Sequence, residues 1–283
     1  GLLGCVPGIS SYIGGDITAG VLACGMDTEK DLCLLIDIGT NGEIVLGNRE
    51  WMISCAASAG PAFEGSGVSC GMRARKGAIQ RVKINKSTYE SDVTTILNSK
   101  SAGICGSGYI DLIAEMLRAG IIDKSGKIKD IENKHIRVGK LGKEFVVDDN
   151  IYINDVDIDN IKRAKGAIYS AAAILVKHME LNFSDIKKVF IAGGFGNYLD
   201  MENAITIGLL PDIERSKFKF VGNSSLLGAR EIMLSSDAAR KAEEIAKKIT
   251  YFELSTDPKY MDEYVAALFF PHTDANRFAN IKL

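Results

Sequence analysis

A short apolar run, an acid, a glycine-bearing turn and a second apolar run stand together in Leu34-Leu35-Ile36-Asp37-Ile38-Gly39-Thr40-Asn41-Gly42-Glu43-Ile44-Val45-Leu46. Apolar runs of this length, bounded by turn residues, fold as buried strands. Asn41-Gly42 is a strong two-residue hairpin signal, because both central positions of such a turn take positive φ. The stretch therefore predicts strand, tight turn, strand. Successive backbone N–H groups at a turn can form an anion-binding nest. Asp37 stands at the strand end, placed to hold a metal ion or orient a water, and Thr40 offers a hydroxyl. These residue types suit a phosphate and Mg²⁺ site. They equally suit an ordinary hairpin with a capping acid.

Composition narrows the class. At 46% apolar and 25% charged, the 283 residues can bury a core of useful size. A net charge of −2 gives no global pull towards nucleic acid or an anionic membrane. No apolar run reaches the roughly 18 residues of a spanning helix. The opening Gly1-Leu2-Leu3-Gly4-Cys5 lacks a charged leader and reads as a chain that begins inside a fold. Cys5, Cys24, Cys33, Cys55, Cys70 and Cys105 form no C-x-x-C pair and match no zinc or iron–sulfur spacing. They read as structural thiols in a reducing cytoplasm.

Along the chain, Asp16–Cys24 predicts a helix with small residues on one face. Ser58-Ala59-Gly60-Pro61-Ala62-Phe63-Glu64-Gly65 turns at Gly60-Pro61, and Glu64 is the only acid between Glu50 and Glu90. Glu64 is either a cap or surface group, or a metal or water contact. Arg73, Arg75, Lys76, Arg81 and Lys83 form a basic run. Its alternation predicts a strand with one wet face, and the charges either lie in solvent, neutralise phosphates or dock an acidic partner. The loop Gly103-Ile104-Cys105-Gly106-Ser107-Gly108 opens into an amphipathic helix that Gly120 ends. A glycine loop at a helix N-terminus is an anion site, or simply allows close packing. Residues 121–160 read as short strands and turns. Asp157 or Asp159 is expected to cap a helix over about Ile161–Leu181. The strand Val189–Ala192 runs into Gly193-Gly194-Phe195-Gly196 and a short helix. Phe218–Asn223 predicts a strand, with Ser224 or Ser225 capping the helix after it. A charged amphipathic helix is expected near Asp237–Ile249, and Asp257-Pro258 is expected to start a last long helix. No tandem repeat or linker interrupts the chain, so a single domain over 1–283 is expected.

Strand-plus-glycine-loop units recur in order at Asp37–Glu43, Gly103–Gly108 and Gly193–Asn197. A D-x-G-T strand followed about 150 residues later by an apolar strand ending in Gly-Gly is the order of the actin-like ATPases. Five segments carry a closer resemblance: Ile36–Ile44, Ser58–Gly65, Gly103–Gly108, Ala192–Gly196 and Pro271-His272-Thr273-Asp274. Together they resemble the C-terminal nucleotide-binding region of the reductive activators of corrinoid proteins, over about Pro7 to the C-terminus.

The resemblance implies an α/β fold of the actin-like, ribonuclease H-like (ASKHA) type, incomplete at the N-terminus. It implies that ATP hydrolysis drives one electron uphill to a corrinoid (iron–sulfur) protein whose cobalt has drifted to Co(II), restoring Co(I). The setting would be methyl transfer or acetyl-CoA metabolism. The electron would come from a [2Fe–2S] cluster on an N-terminal domain outside this chain. One charge moved against 100 mV costs about 2.3 kcal/mol, so a step of a few hundred millivolts needs a coupled reaction. Carried onto this sequence, the resemblance gives Asp37 the Mg²⁺ or water and gives Gly39, Thr40, Asn41 and Gly42 the β- and γ-phosphates. It gives Gly193, Gly194 and Phe195 the adenosine, and makes Gly103, Gly106, Ser107 and Gly108 line the cleft, with Glu64 a second candidate for metal or water. ATP or ADP with Mg²⁺ is the implied cofactor. The expected partner is a corrinoid protein, with no nucleic acid or membrane, and family members often form homodimers. Only one D-x-G-T turn is present where a complete fold has two. Three other readings compete: a dehydratase-type activator with an intersubunit [4Fe–4S] cluster, a non-catalytic docking module, and a sugar or acetate kinase.

Overall fold

The computed structural model describes residues 4–194 and 199–282. In chain order the first elements are α1 (Gly15–Cys24), β1 (Cys33–Ile38), β2 (Gly42–Gly47), β3 (Met52–Ala57), β4 (Ala78–Ile84), β5 (Ser91–Thr95), β6 (Gly103–Ile104) and α2 (Gly106–Arg118). Then come β7 (Ile136–Gly139), β8 (Gly142–Asp148), β9 (Ile151–Asn154), α3 (Asp155–His178), β10 (Lys188–Ala192) and α4 (Met201–Thr206). The chain ends with β11 (Phe218–Gly222), α5 (Ser224–Leu234), α6 (Ser236–Lys248), β12 (Ile249–Tyr251) and α7 (Tyr260–Ala267). Contacts divide these elements into two compact units. The first holds residues 1–58, 170–197 and 213–263, and the second holds 59–169, 198–212 and 264–283.

The first unit is built on a six-stranded sheet in the order β11-β10-β1-β2-β3-β12. β1 pairs parallel with β10 and antiparallel with β2, and β2 pairs antiparallel with β3. Five of the six β1 residues are buried, as the apolar run predicts for a central strand. Cys33, Leu35, Val45 and Phe190 join Ile17, Val21 and Leu22 of α1 and Ile245 of α6 in one core. The small residues of α1 let it approach α5 closely. A Cβ on Gly228 would collide with the Ala19 carbonyl, and one on Gly20 would stand 3.0 Å from Ser224 Oγ.

The second unit holds two three-stranded sheets, β5-β4-β6 and β7-β8-β9. α2 is apolar towards the core and ends at Arg118, with Gly120 left-handed at φ +72° as the sequence predicts. The sequence places its first glycines in a loop, whereas Gly106, Ser107 and Gly108 form its buried first turn. The two glycines lack a side chain for packing, since a Cβ on Gly106 would collide with the Phe63 carbonyl and one on Gly108 with the Ile79 carbonyl.

Three helix starts differ from expectation. α3 begins six residues early. Its cap is Asn154, whose Oδ1 accepts from Asp157 N at 2.9 Å while Asp157 Oδ2 accepts from Asn154 N at 3.2 Å, a reciprocal capping box. Asp157 is thus the third helical residue, not the cap, and Asp159 pairs with Lys162 and Arg163 within the helix. α5 is capped by Asn223, which accepts from Leu226 N, rather than by Ser224 or Ser225. The last helix begins at Tyr260, because Asp257 closes a turn onto Lys259 N, and it runs for only eight residues.

Candidate functional site: the Asp37 hairpin

The hairpin at the end of β1 turns in three residues rather than two. Ile38 pairs with Gly42 and Asp37 with Glu43, so Gly39, Thr40 and Asn41 form the loop. Gly39 N donates to Asn41 O at 3.0 Å across it. Neither Asn41 nor Gly42 takes a positive φ, and Gly42 belongs to the ladder, opposite Ala57 of β3. The two-residue turn is displaced because both neighbouring strands claim Gly42. Thr40 and Asn41 are exposed at the tip.

This register sets two carboxylates side by side. Asp37 and Glu43 are half-buried cross-strand partners, and Asp16 in the first turn of α1 adds its charge to both. Burial, then the charge of Asp16, pushes the Asp37 carboxyl up to about 6, against the Ser225 hydroxyl that holds it down. Ser225 Oγ donates to Asp37 Oδ2 at 3.5 Å from the first turn of α5. Burial, then Asp37 and Asp16, pushes Glu43 up to about 7, against its own backbone N–H and the Asn41 side chain. Like charges crowded at a strand end are relieved by a proton or by a cation.

The second glycine element lies beside the first. Asp37 pairs with Ala192 of β10, and the next residue, Gly193, has φ +117°. A Cβ there would collide with the Ile38 carbonyl, so only glycine lets the end of β10 lie against the end of β1. Among the described residues nothing lies within 4 Å of the Cβ direction of Gly194. Phe195 lies outside the described residues.

Asp37, Gly39, Thr40, Asn41, Gly42, Gly193 and Gly194 therefore gather in the first unit. The remaining candidates belong to the second unit. Glu64 ends a single helical turn, Pro61–Glu64, and is exposed. Gly103, Gly106, Ser107 and Gly108 are buried there, and Gly106 packs on Phe63. Among the described residues no three His, Cys, Asp or Glu side chains form a metal-holding group. All six cysteines are free thiols; Cys33, Cys55 and Cys105 are buried, Cys24 and Cys70 half-buried and Cys5 exposed.

Three residues of the hairpin neighbourhood escaped the sequence reading: Glu43, Asp16 and Ser225. A hairpin centred on Thr40 would have paired residue 37 with residue 43, so Glu43 was legible once the loop length was known. Asp16 and Ser225 arrive through packing of α1 and α5, which no local signal announces.

Comparison with known proteins identifies the family of the chain as a whole. Residues 31–282 match the family model described as the C-terminal domain of RACo, the ASKHA domain. The corrinoid activation enzyme RamQ of Eubacterium limosum is 35% identical over 92% of this chain and 46% of its own length. The [Co(II) methylated amine-specific corrinoid protein] reductase of Methanosarcina barkeri is 30% identical over 93% of this chain and 50% of its own. A solved structure of a reductive activator for corrinoid, iron–sulfur protein superposes with TM-score 0.94 at 50% identity. That match covers 98% of this chain and 45% of the other. The chain thus spans about half the length of the relatives it matches. A six-stranded sheet with parallel and antiparallel neighbours around β1, a glycine hairpin at its end and a family match over most of its length lead to one assignment: the chain belongs to the family of RACo C-terminal ASKHA domains.

Proposed function

We propose that this chain is the ATP-binding part of a reductive activator that returns Co(II) corrinoid proteins to Co(I). One electron passes to the cobalt from an iron–sulfur cluster held outside this chain, and ATP hydrolysis drives the step. The observation that carries the reading is the Asp37 hairpin itself, with Thr40 and Asn41 exposed at its tip, the paired carboxylates of Asp37 and Glu43 at its base, and the end of β10 at Gly193 held against the end of β1.

The donors fit Mg²⁺. That ion takes oxygen ligands, keeps several waters and needs only one or two carboxylates besides phosphate oxygens. Asp37 is the ligand we assign, with Glu43 and Asp16 supplying negative potential. Gly39, Thr40, Asn41 and Gly42 would take the β- and γ-phosphates, and Gly193 and Gly194 the nucleoside side. Glu64 and the segment Gly103–Gly108 enter only through the family resemblance. The partner we propose is a corrinoid protein, in keeping with the names of the relatives, and the six free thiols suit a reducing cytoplasm. Among the described residues no helix is long and apolar enough to cross a membrane.

The test uses the full-length activator with its cluster reduced and a Co(II) corrinoid protein, following the Co(I) absorption after ATP and Mg²⁺ are added. The wild type should produce the band, and Asp37→Asn should slow it at least roughly tenfold by weakening the metal contact. Equal rates in the two proteins would refute the assignment.

A further inference from the structure

The basic run divides into two groups with different fates. Arg81 stands 3.5 Å from both Asp111 and Asp200, and Lys83 stands 3.5 Å from Glu115, so both are tied into the second unit. Arg73, Arg75 and Lys76 are exposed, and among the described residues none of them makes a side-chain hydrogen bond or ion pair. The backbone joins their loop to a second one. Gly77 N donates to Ile96 O at 3.2 Å, and Ala102 N donates to Gly77 O at 2.9 Å. That second loop carries Lys100, also without an ionic partner among the described residues.

Two further observations fall on the second loop. Leu97 and Asn98 both take positive φ, +62° and +46°, and Leu97 is 77% exposed. A left-handed backbone is costly for a leucine, and in water this one regains nothing by burial. Strain held at an exposed apolar tip points to something that covers it. Beside the tip lies an open surface depression lined in part by Thr94, Thr95, Asn98, Ser99, Lys100 and Asp148. Hydroxyls, an amide and an ammonium there can receive a carboxylate, and Asp148 is the one acid in the lining.

We propose that the loops over 73–77 and 96–102 form a docking surface for an acidic face of the corrinoid protein, with Leu97 as the apolar contact. The inference rests on the function proposed above and adds the place where the partner binds. Unpaired cations at such a rim raise the association rate and make it salt-dependent. A protein suits the surface better than nucleic acid, because neither loop carries an aromatic side chain on which a base could stack.

The test titrates Co(II) corrinoid iron–sulfur protein against the full-length activator at low and at physiological ionic strength. Nucleotide binding is measured in parallel. The triple variant Arg75→Glu, Lys76→Glu, Lys100→Glu should weaken association by roughly tenfold or more and flatten its salt dependence, while ATP·Mg²⁺ binding stays unchanged. Leu97→Gly should raise the melting temperature, by relieving the left-handed leucine, and still weaken association; a merely structural leucine would not separate the two readouts. Unchanged corrinoid-protein affinity and salt dependence in the triple variant would overturn the docking surface and leave the proposed function standing. No association by the wild type would overturn both. Wild-type binding to single-stranded RNA alone would overturn the choice of partner.

Discussion

At the scale of single residues, negative charge is crowded at the base of the hairpin. Asp37 and Glu43 hold protons to higher pH in the folded state than in an unfolded chain, with carboxyls at about 6 and about 7. The folded state therefore binds more protons across that interval. The stability these groups contribute is full below about pH 4 and is lost as pH rises through 6 and 7. Asp37→Asn should raise the stability of the free protein at pH 8 by on the order of 2 kcal/mol and leave it nearly unchanged at pH 4, as urea unfolding at the two pH values would show. A residue kept at such a cost to stability is what a metal site leads one to expect. Lys165 is the opposite case. It is fully buried and donates to Phe269 O at 2.5 Å and Pro271 O at 2.7 Å. Burial, then the charge of Lys162, holds it well below the usual lysine range. The unfolded chain binds the extra proton, so stability should rise as pH climbs towards the ordinary lysine range, about 10. Lys165→Met should flatten that rise in the same unfolding series; a slope equal to the wild type would mean Lys165 stays charged when buried.

At the scale of elements, helix packing is set by absent side chains. In an open helix, glycine to alanine stabilises by about 1 kcal/mol. Gly228→Ala should instead destabilise by a few kcal/mol, because the new methyl would drive α5 off the Ala19 carbonyl of α1. Thermal unfolding reads the sign directly. The same logic explains what was legible in the sequence. β1 and β10 follow their apolar runs and β4 its alternation, because burial in a sheet is written in local periodicity. The end of α2 was legible because Gly120 needs a left-handed backbone of its own. The helical first turn at Gly106–Gly108 was not, since those glycines answer carbonyls of Phe63 and Ile79, far off in sequence. The α3 cap fell on Asn154 rather than Asp157 because a capping box needs both residues, and either can be read as the cap. Of the candidate hairpin site, Asp37, Gly39 and Gly193 could be picked out from the sequence, while Asp16 and Ser225 depend on how α1 and α5 pack.

At the scale of the whole molecule, the family assignment and the hairpin chemistry meet in one claim, that the nucleotide binds through Mg²⁺ at the end of β1. A ligand that binds only the folded state stabilises it by about 2.7 kcal/mol at a hundred times its dissociation constant. Saturating ATP·Mg²⁺ should therefore raise the melting temperature of the wild type and leave that of Asp37→Ala where it was. The direct measurement is calorimetric titration of ATP·Mg²⁺ and ADP·Mg²⁺ into the protein beside that variant. Binding should require Mg²⁺ and be lost in Asp37→Ala. Equal affinity in the two proteins, or wild-type binding indifferent to Mg²⁺, would contradict it.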